Sequence, residues 1–177
     1  MATTIKRIGF GQVEPNHLSA QGNRQIYAQL PLKSTINILE NGQFMKYDYA
    51  NNEVNLTGDG EYMLVFNEVK VYDERDSYKD FAMIKKNYVG GEIYPRLFKT
   101  NVGDIYTTNC VGGANTSKDA EYTYAENLSV GDKLKVDTST GYLIKDNAVA
   151  TGMIWKVVKI TTCPDAIQPA VKIQRIN

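Results

Sequence analysis

The chain has 177 residues, enough for one ordinary domain, or a domain with an extended arm, that buries about 70% of the surface its unfolded form would expose. Stability on that scale requires neither a metal nor a disulfide. Lysine plus arginine number 20 and aspartate plus glutamate number 20, a formal charge of zero with no long block of either sign. A duplex binder would have to gather its cations on one face, because affinity comes largely from neutralised phosphates. Nucleic-acid binding is therefore disfavoured.

The opening Met-Ala-Thr-Thr-Ile-Lys-Arg has no apolar run behind it, and no segment approaches the ~18 apolar residues of a membrane span, so the expectation is a soluble chain made in a cytosol, without a membrane partner. Cys110 and Cys163 lie far apart and form no Cys-x-x-Cys pattern. They read as reduced or buried thiols, with a disulfide between them as the alternative. Asn55, Asn115 and Asn127 each begin a glycosylation-like triplet; without a secretory signal they read as turn and strand polar residues.

Taken in chain order, residues 1–34 stand apart. Gly9, Gly11, Pro15, Gly22 and Pro31 punctuate them and their apolar residues are thinly spread. Proline cannot donate to a strand ladder, so an extended arm or an edge-packed segment is expected rather than a central strand. From residue 35 the chain reads as a β domain rich in Val, Ile, Thr and Tyr. Asn41-Gly42 suits a type I′ hairpin turn, which would set Glu40 opposite Gln43, Ile38 opposite Met45 and Ile36 opposite Tyr47. A turn near Asn51-Asn52, a strand at Val54-Asn55-Leu56 and a turn at Gly58-Asp59-Gly60 follow.

The run Glu61 to Tyr72 is a long strand whose phase drifts at Asn67-Glu68, as at a bulge. Asp73 to Asp80 is a charged connector, Phe81 to Val89 fits a strand or a short helix, and Gly90-Gly91 ends it before Ile93 to Phe98. Val102-Gly103-Asp104 and Val130-Gly131-Asp132 form an internal echo, each turning the chain into a strand. Between them Val111 to Ala120, with few apolar anchors, should be mobile. Lys135 to Ile144 reads as a hairpin with a Gly-ended loop, and strands at Ala148–Ala150, Gly152–Ile160 and Ala170–Ile176 close the domain, with Trp155 in its interior. Turn spacing of this kind argues an all-β antiparallel sandwich or small barrel.

Catalytic chemistry has few carriers. His17 is the only histidine, so serine triads, Cys-His pairs and two-histidine metal sites are excluded. Asp59, Glu61, Asp73 and Glu74 are carboxylates that could pair for glycoside chemistry, but beside turns and in a charged connector they read as solvated. Asp73-Glu74-Arg75-Asp76 lacks the glycine of a calcium loop, and Gly9-Phe10-Gly11 lacks the ending of a phosphate loop. No catalytic, cofactor or metal residue is assigned. The tyrosines spread along the whole chain, which suits core and interface packing better than one binding platform.

The stretches Val13 to Gln21, Arg24 to Pro31 and Ile38 to Gly42, with the two Val-Gly-Asp strands, resemble minor virion proteins of tailed bacteriophages, most of all small auxiliary head proteins that decorate or cement a capsid. The resemblance implies a non-enzymatic β domain on the virion, held to the major capsid protein or other virion proteins, oligomeric on the particle, with residues 1–34 as its attachment arm. A carbohydrate-binding host-adhesion module and a tail or baseplate component are the alternatives.

Overall fold

A computed structural model describes residues 1–67, 82–85, 89–117, 125–164 and 167–177. In chain order the elements are β1 (Thr3–Ile5), β2 (Val13–His17), the short helix α1 (Ser19–Asn23), β3 (Ile26–Tyr27), β4 (Ile38–Glu40), β5 (Phe44–Asp48), β6 (Glu53–Asn55), β7 (Met63–Val65) and β8 (Ala82–Ile84). They continue as β9 (Leu97–Phe98), β10 (Ile105–Thr108), β11 (Glu126–Leu128), β12 (Lys133–Val136), β13 (Leu143–Lys145), β14 (Ile154–Thr162) and β15 (Pro169–Arg175). The protein is all-β, as its composition leads one to expect.

Two sheets dominate, a six-stranded one ordered β13-β12-β14-β15-β10-β2 and a five-stranded one ordered β3-β9-β7-β5-β6, with ribbons β1-β11 and β4-β8 beside them. Neighbouring strands run antiparallel. Successive strand residues point to opposite faces, and the five-stranded sheet uses both. Phe44, Leu64 and Phe98 join Trp155, Val157, Leu134, Tyr106 and Ile173 of the six-stranded sheet in one core. Met45, Tyr47, Met63, Val65 and Leu97 enter a second core with Leu32, Leu39, Val54, Met83 and Ile93. A strand buried on both faces reads as a continuous apolar run, which is why Tyr62 to Phe66 shows no polar face. Trp155 is fully buried, with Tyr106 edge-on at 5.0 Å between ring centroids.

The Val-Gly-Asp echo is a repeated piece of structure. Gly103 and Gly131 take φ of 99° and 98°, which only glycine adopts freely. Each aspartate carboxylate accepts the N–H three residues upstream, Asn101 to Asp104 at 3.0 Å and Ser129 to Asp132 at 2.8 Å. Each glycine N–H then donates to the neighbouring long strand, Gly103 to Arg175 O and Gly131 to Val157 O, both at 2.8 Å. β10 and β12 start directly after these turns and flank the central β14-β15 pair.

Several expectations are corrected. Residues 1–34 are not an arm laid outside a domain that begins at residue 35: β1 pairs with β11, β2 with β10 and β3 with β9. Ile5, Phe10, Leu18 and Ala20 are buried, and Leu32 bridges to Val54. These scattered apolar residues find their partners across the chain instead of among themselves. Pro15 does lie on an edge strand, β2, where the register shifts opposite Ile105 and Thr107 and its missing N–H breaks no interior ladder.

The Asn41-Gly42 turn exists, with Gln43 N–H donating to Glu40 O at 3.3 Å and Gly42 at φ 94°, but it joins no hairpin. Its flanks diverge, β4 to β8 and β5 to β6 and β7. Residues 111–115, expected to move, are anchored: Gly112 N–H donates to Leu143 O at 2.8 Å, and Val111 and Asn115 are buried. Ala148–Ala150 is a turn and loop, not a strand. The strand begun at Met63 ends at Val65; Glu68, the charged connector and residues 118–120 lie outside the described residues.

Candidate functional site

The densest polar constellation sits in the interior, where β4, the N-terminal segment, residues 109–115 and the loop before β13 meet. Arg7, Glu40 and Tyr142 are at most 3% exposed. Arg7 Nη2 donates to Glu40 Oε2 at 3.1 Å and to Gly113 O. Its Nη1 reaches Asn109 O at 3.4 Å and Val111 O at 3.3 Å. Glu40 Oε2 also accepts the Tyr142 hydroxyl, and Oε1 accepts the Gly11 N–H at 3.0 Å. The guanidinium lies 5.5 Å from the Tyr142 ring centroid.

A ring of amides surrounds this pair. Gln12 N–H donates to Asn109 Oδ1 at 2.8 Å, Asn109 Nδ2 to Gln168 Oε1 at 3.2 Å, and Ile8 N–H to the same Gln168 oxygen at 2.8 Å. Asn115 Nδ2 donates to Gly9 O. Glycines make the approach possible: a Cβ on Gly11 would lie 2.5 Å from Asn41 O, and one on Gly42 would lie 2.4 Å from Cys110 Cβ.

A buried carboxylate is tolerated only when paired and hydrogen-bonded, and Glu40 has an arginine, a phenol and a backbone N–H. Burial alone would lower the Arg7 pKa, but facing Cys110, Glu40 and Tyr142 carries it above its ordinary value, so the guanidinium stays charged. Burial pushes the Cys110 thiol far up, Arg7 opposing and Glu40 adding. Burial also raises the Tyr142 phenol, followed by the Glu40 charge. A neutral thiol is a poor nucleophile and a neutral phenol serves as a donor. What this arrangement does is fasten four distant stretches of chain together.

The residues singled out in the sequence are not brought together. His17 is exposed on the edge strand, Asp59 is exposed in its turn, and Glu61, also exposed, pairs with Lys99 at 3.3 Å and Arg175 at 3.5 Å. Asp73 and Glu74 lie outside the described residues. Cys110 and Cys163 are buried and form no disulfide. The other carboxylate clusters close turns: Asp48 accepts from Asn51 and Asn55, Asp104 from Ser19, and Asp132 from Asn147 and Lys145. Among the described residues no group of three or more His, Cys, Asp or Glu could hold a metal, and no helix is long and apolar enough to cross a membrane.

Sequence reasoning missed Arg7, Glu40, Tyr142, Asn109 and Gln168, whose partners in this cluster lie 29 to 160 positions away. The available signal was small: an arginine set between Ile5, Ile8 and Phe10, with glycines at 9, 11, 112 and 113. No family model, curated protein or solved structure matches the chain.

Proposed function

We propose that the protein is a non-enzymatic structural protein of a tailed-phage particle, an auxiliary head protein that stabilises or decorates the capsid through protein–protein contacts. The observation that carries this reading is the sealed Arg7–Glu40–Tyr142 cluster. The side chains with the richest chemistry are closed to any substrate and committed to stiffening the domain, which suits a part that is bound and loaded rather than one that turns over. The resemblance of Val13 to Gln21, Arg24 to Pro31 and the Val-Gly-Asp strands to auxiliary head proteins supports the same reading.

On this reading attachment runs through the folded surface, which is supported by the pairing of β1, β2 and β3 of the first 34 residues with β11, β10 and β9. An antibody raised against the full chain provides the test, applied to density-gradient-purified particles from a lysate of cells producing the protein. Co-migration with the particles at fixed stoichiometry is expected. Recovery only in the soluble fraction overturns the proposal, and specific retention on a glycan array by the isolated protein would replace it with a host-adhesion module.

A further inference from the structure

The outer face of the six-stranded sheet carries lysines that meet no carboxylate among the described residues. Trp155, Val157 and Ile173 point into the core, so the alternate residues Lys156, Lys172 and Gln174 point outward. Register sets Lys133 opposite Lys156 and, past the irregularity at Val158, Lys159 opposite Lys172. Like charges directly opposite on one face destabilise a sheet, and β14 meets two such pairs. At the sheet's edge Lys135 is paired with Asp146 at 2.7 Å. No carboxylate among the described residues lies within ion-pair distance of Lys156, Lys159 or Lys172. Lys156 and Lys159 are exposed, and between them Val158 is 36% exposed.

Resting on the reading that the protein works by protein contact, we propose that this face docks a protein surface bearing closely spaced carboxylates. Two ammonium groups on adjacent strands, about 5 Å apart at the backbone, match carboxylates presented at similar spacing, and exposed Val158, between Lys156 and Lys159 along β14, supplies apolar area beside them. Opposite charge across the contact removes the like-charge penalty and steers the encounter. Nucleic acid fits less well. The aromatic residues of these strands, Tyr106 and Trp155, are buried in the core and cannot stack bases. Glu14, exposed on β2 and in the same cross-strand row as Lys172 through Thr107, bounds the basic area on that side, so the docked carboxylates sit over β14 and β15.

The test is an NMR titration of the isotopically labelled full chain with poly-L-glutamate, and separately with a short DNA duplex, at low and at high salt. Poly-L-glutamate is expected to shift amides of residues 156–160, 172–174 and 105–107, with an affinity that falls as salt rises. The combined Lys156→Glu and Lys159→Glu variant should weaken it at least about tenfold, while Lys33→Glu changes nothing. Because it turns both like-charge pairs into opposite-charge pairs, the double variant should melt at or above the parent; should it fail to fold, Lys159→Gln alone must still weaken binding. Absence of shifts at low salt, shifts elsewhere, or unaltered binding by the variants overturns the proposal, and tighter binding of the duplex reassigns the face to nucleic acid. Since the readout uses isolated protein, its failure leaves particle association standing, and failure of particle association leaves the charge of this face standing.

Discussion

Replacing Arg7 with methionine should cost more stability than almost any other single change on the chain. The variant keeps the apolar stem of the side chain but removes the guanidinium and with it the charge facing Glu40, which stays buried with only the Tyr142 hydroxyl and the Gly11 N–H as donors. The carbonyls of Asn109, Val111 and Gly113 lose their guanidinium donor at the same time. Breaking a buried pair by deleting one partner costs about 3–5 kcal/mol, a large part of the roughly 5–15 kcal/mol that holds a domain together. At about 2–4 °C per kcal/mol for a chain of this size, the melting temperature should fall by roughly 6–20 °C. The Lys33–Glu53 pair is the comparison: its side chains are 42% and 20% exposed, and Lys33→Met should cost at most about 1 kcal/mol. Urea unfolding followed by the fluorescence of Trp155 measures both. Equal losses from the two variants, or an Arg7→Met loss below about 1 kcal/mol, would refute the assignment of Arg7 to a sealed ion pair.

Two glycine substitutions separate backbone strain from crowding. Gly42→Ala meets both, a φ of 94° and a Cβ 2.4 Å from Cys110 Cβ, and should lose about 2–5 kcal/mol. Gly103→Ala, at φ 99° with open space around it, should lose about 1–2 kcal/mol; equal urea midpoints would contradict the packing. Stability should also fall in acid. The Asn51 side chain, then its backbone N–H, then the Asn55 side chain lower the Asp48 carboxyl from 3.8 to about 2. Stability from a depressed carboxylate is complete above its unfolded pKa and lost as pH falls through the folded one, so the window for Asp48 runs from 3.8 down to about 2. Asp137 and Asp146, lowered chiefly by hydrogen bonds from Thr140 and Lys135, add in the same direction. Asp48→Asn should flatten the dependence of the urea midpoint on pH across this window, and an unchanged slope would refute it.

What the sequence made visible is what neighbours along the chain decide. The Asn51-Asn52 turn between β5 and β6, the Gly141-ended loop between β12 and β13, the two Val-Gly-Asp turns and the edge position of Pro15 each depend on a few consecutive residues with special φ or a missing donor. The Asn41-Gly42 hairpin failed for the opposite reason. Its local turn is correct, but Glu40 is pulled inward by Arg7 and β4 finds its partner at Ala82–Ile84, neither of which periodicity can see. Residues 1–34 were misjudged because Ile5, Val13 and Leu18 follow no period of 2 or 3.6. They drop singly into a core built by strands over 100 positions away, such as Leu128, Trp155 and Ile173. The lysines of β12, β14 and β15 are dispersed in a chain of zero net charge, and only register lines them up.

The claim on which the rest depends is that the N-terminal segment is part of the domain, fastened through the sealed cluster, and native-state hydrogen exchange tests it most directly. The amides of Gly11 and Gln12, bonded to Glu40 and Asn109, should exchange as slowly as that of Val157 in the central sheet, bonded to Asp132 O. All three should accelerate together in low urea, as amides released only by global unfolding do. Exchange of Gly11 and Gln12 at the rate of a free peptide, while Val157 stays protected, would contradict the account and return residues 1–34 to the status of an arm.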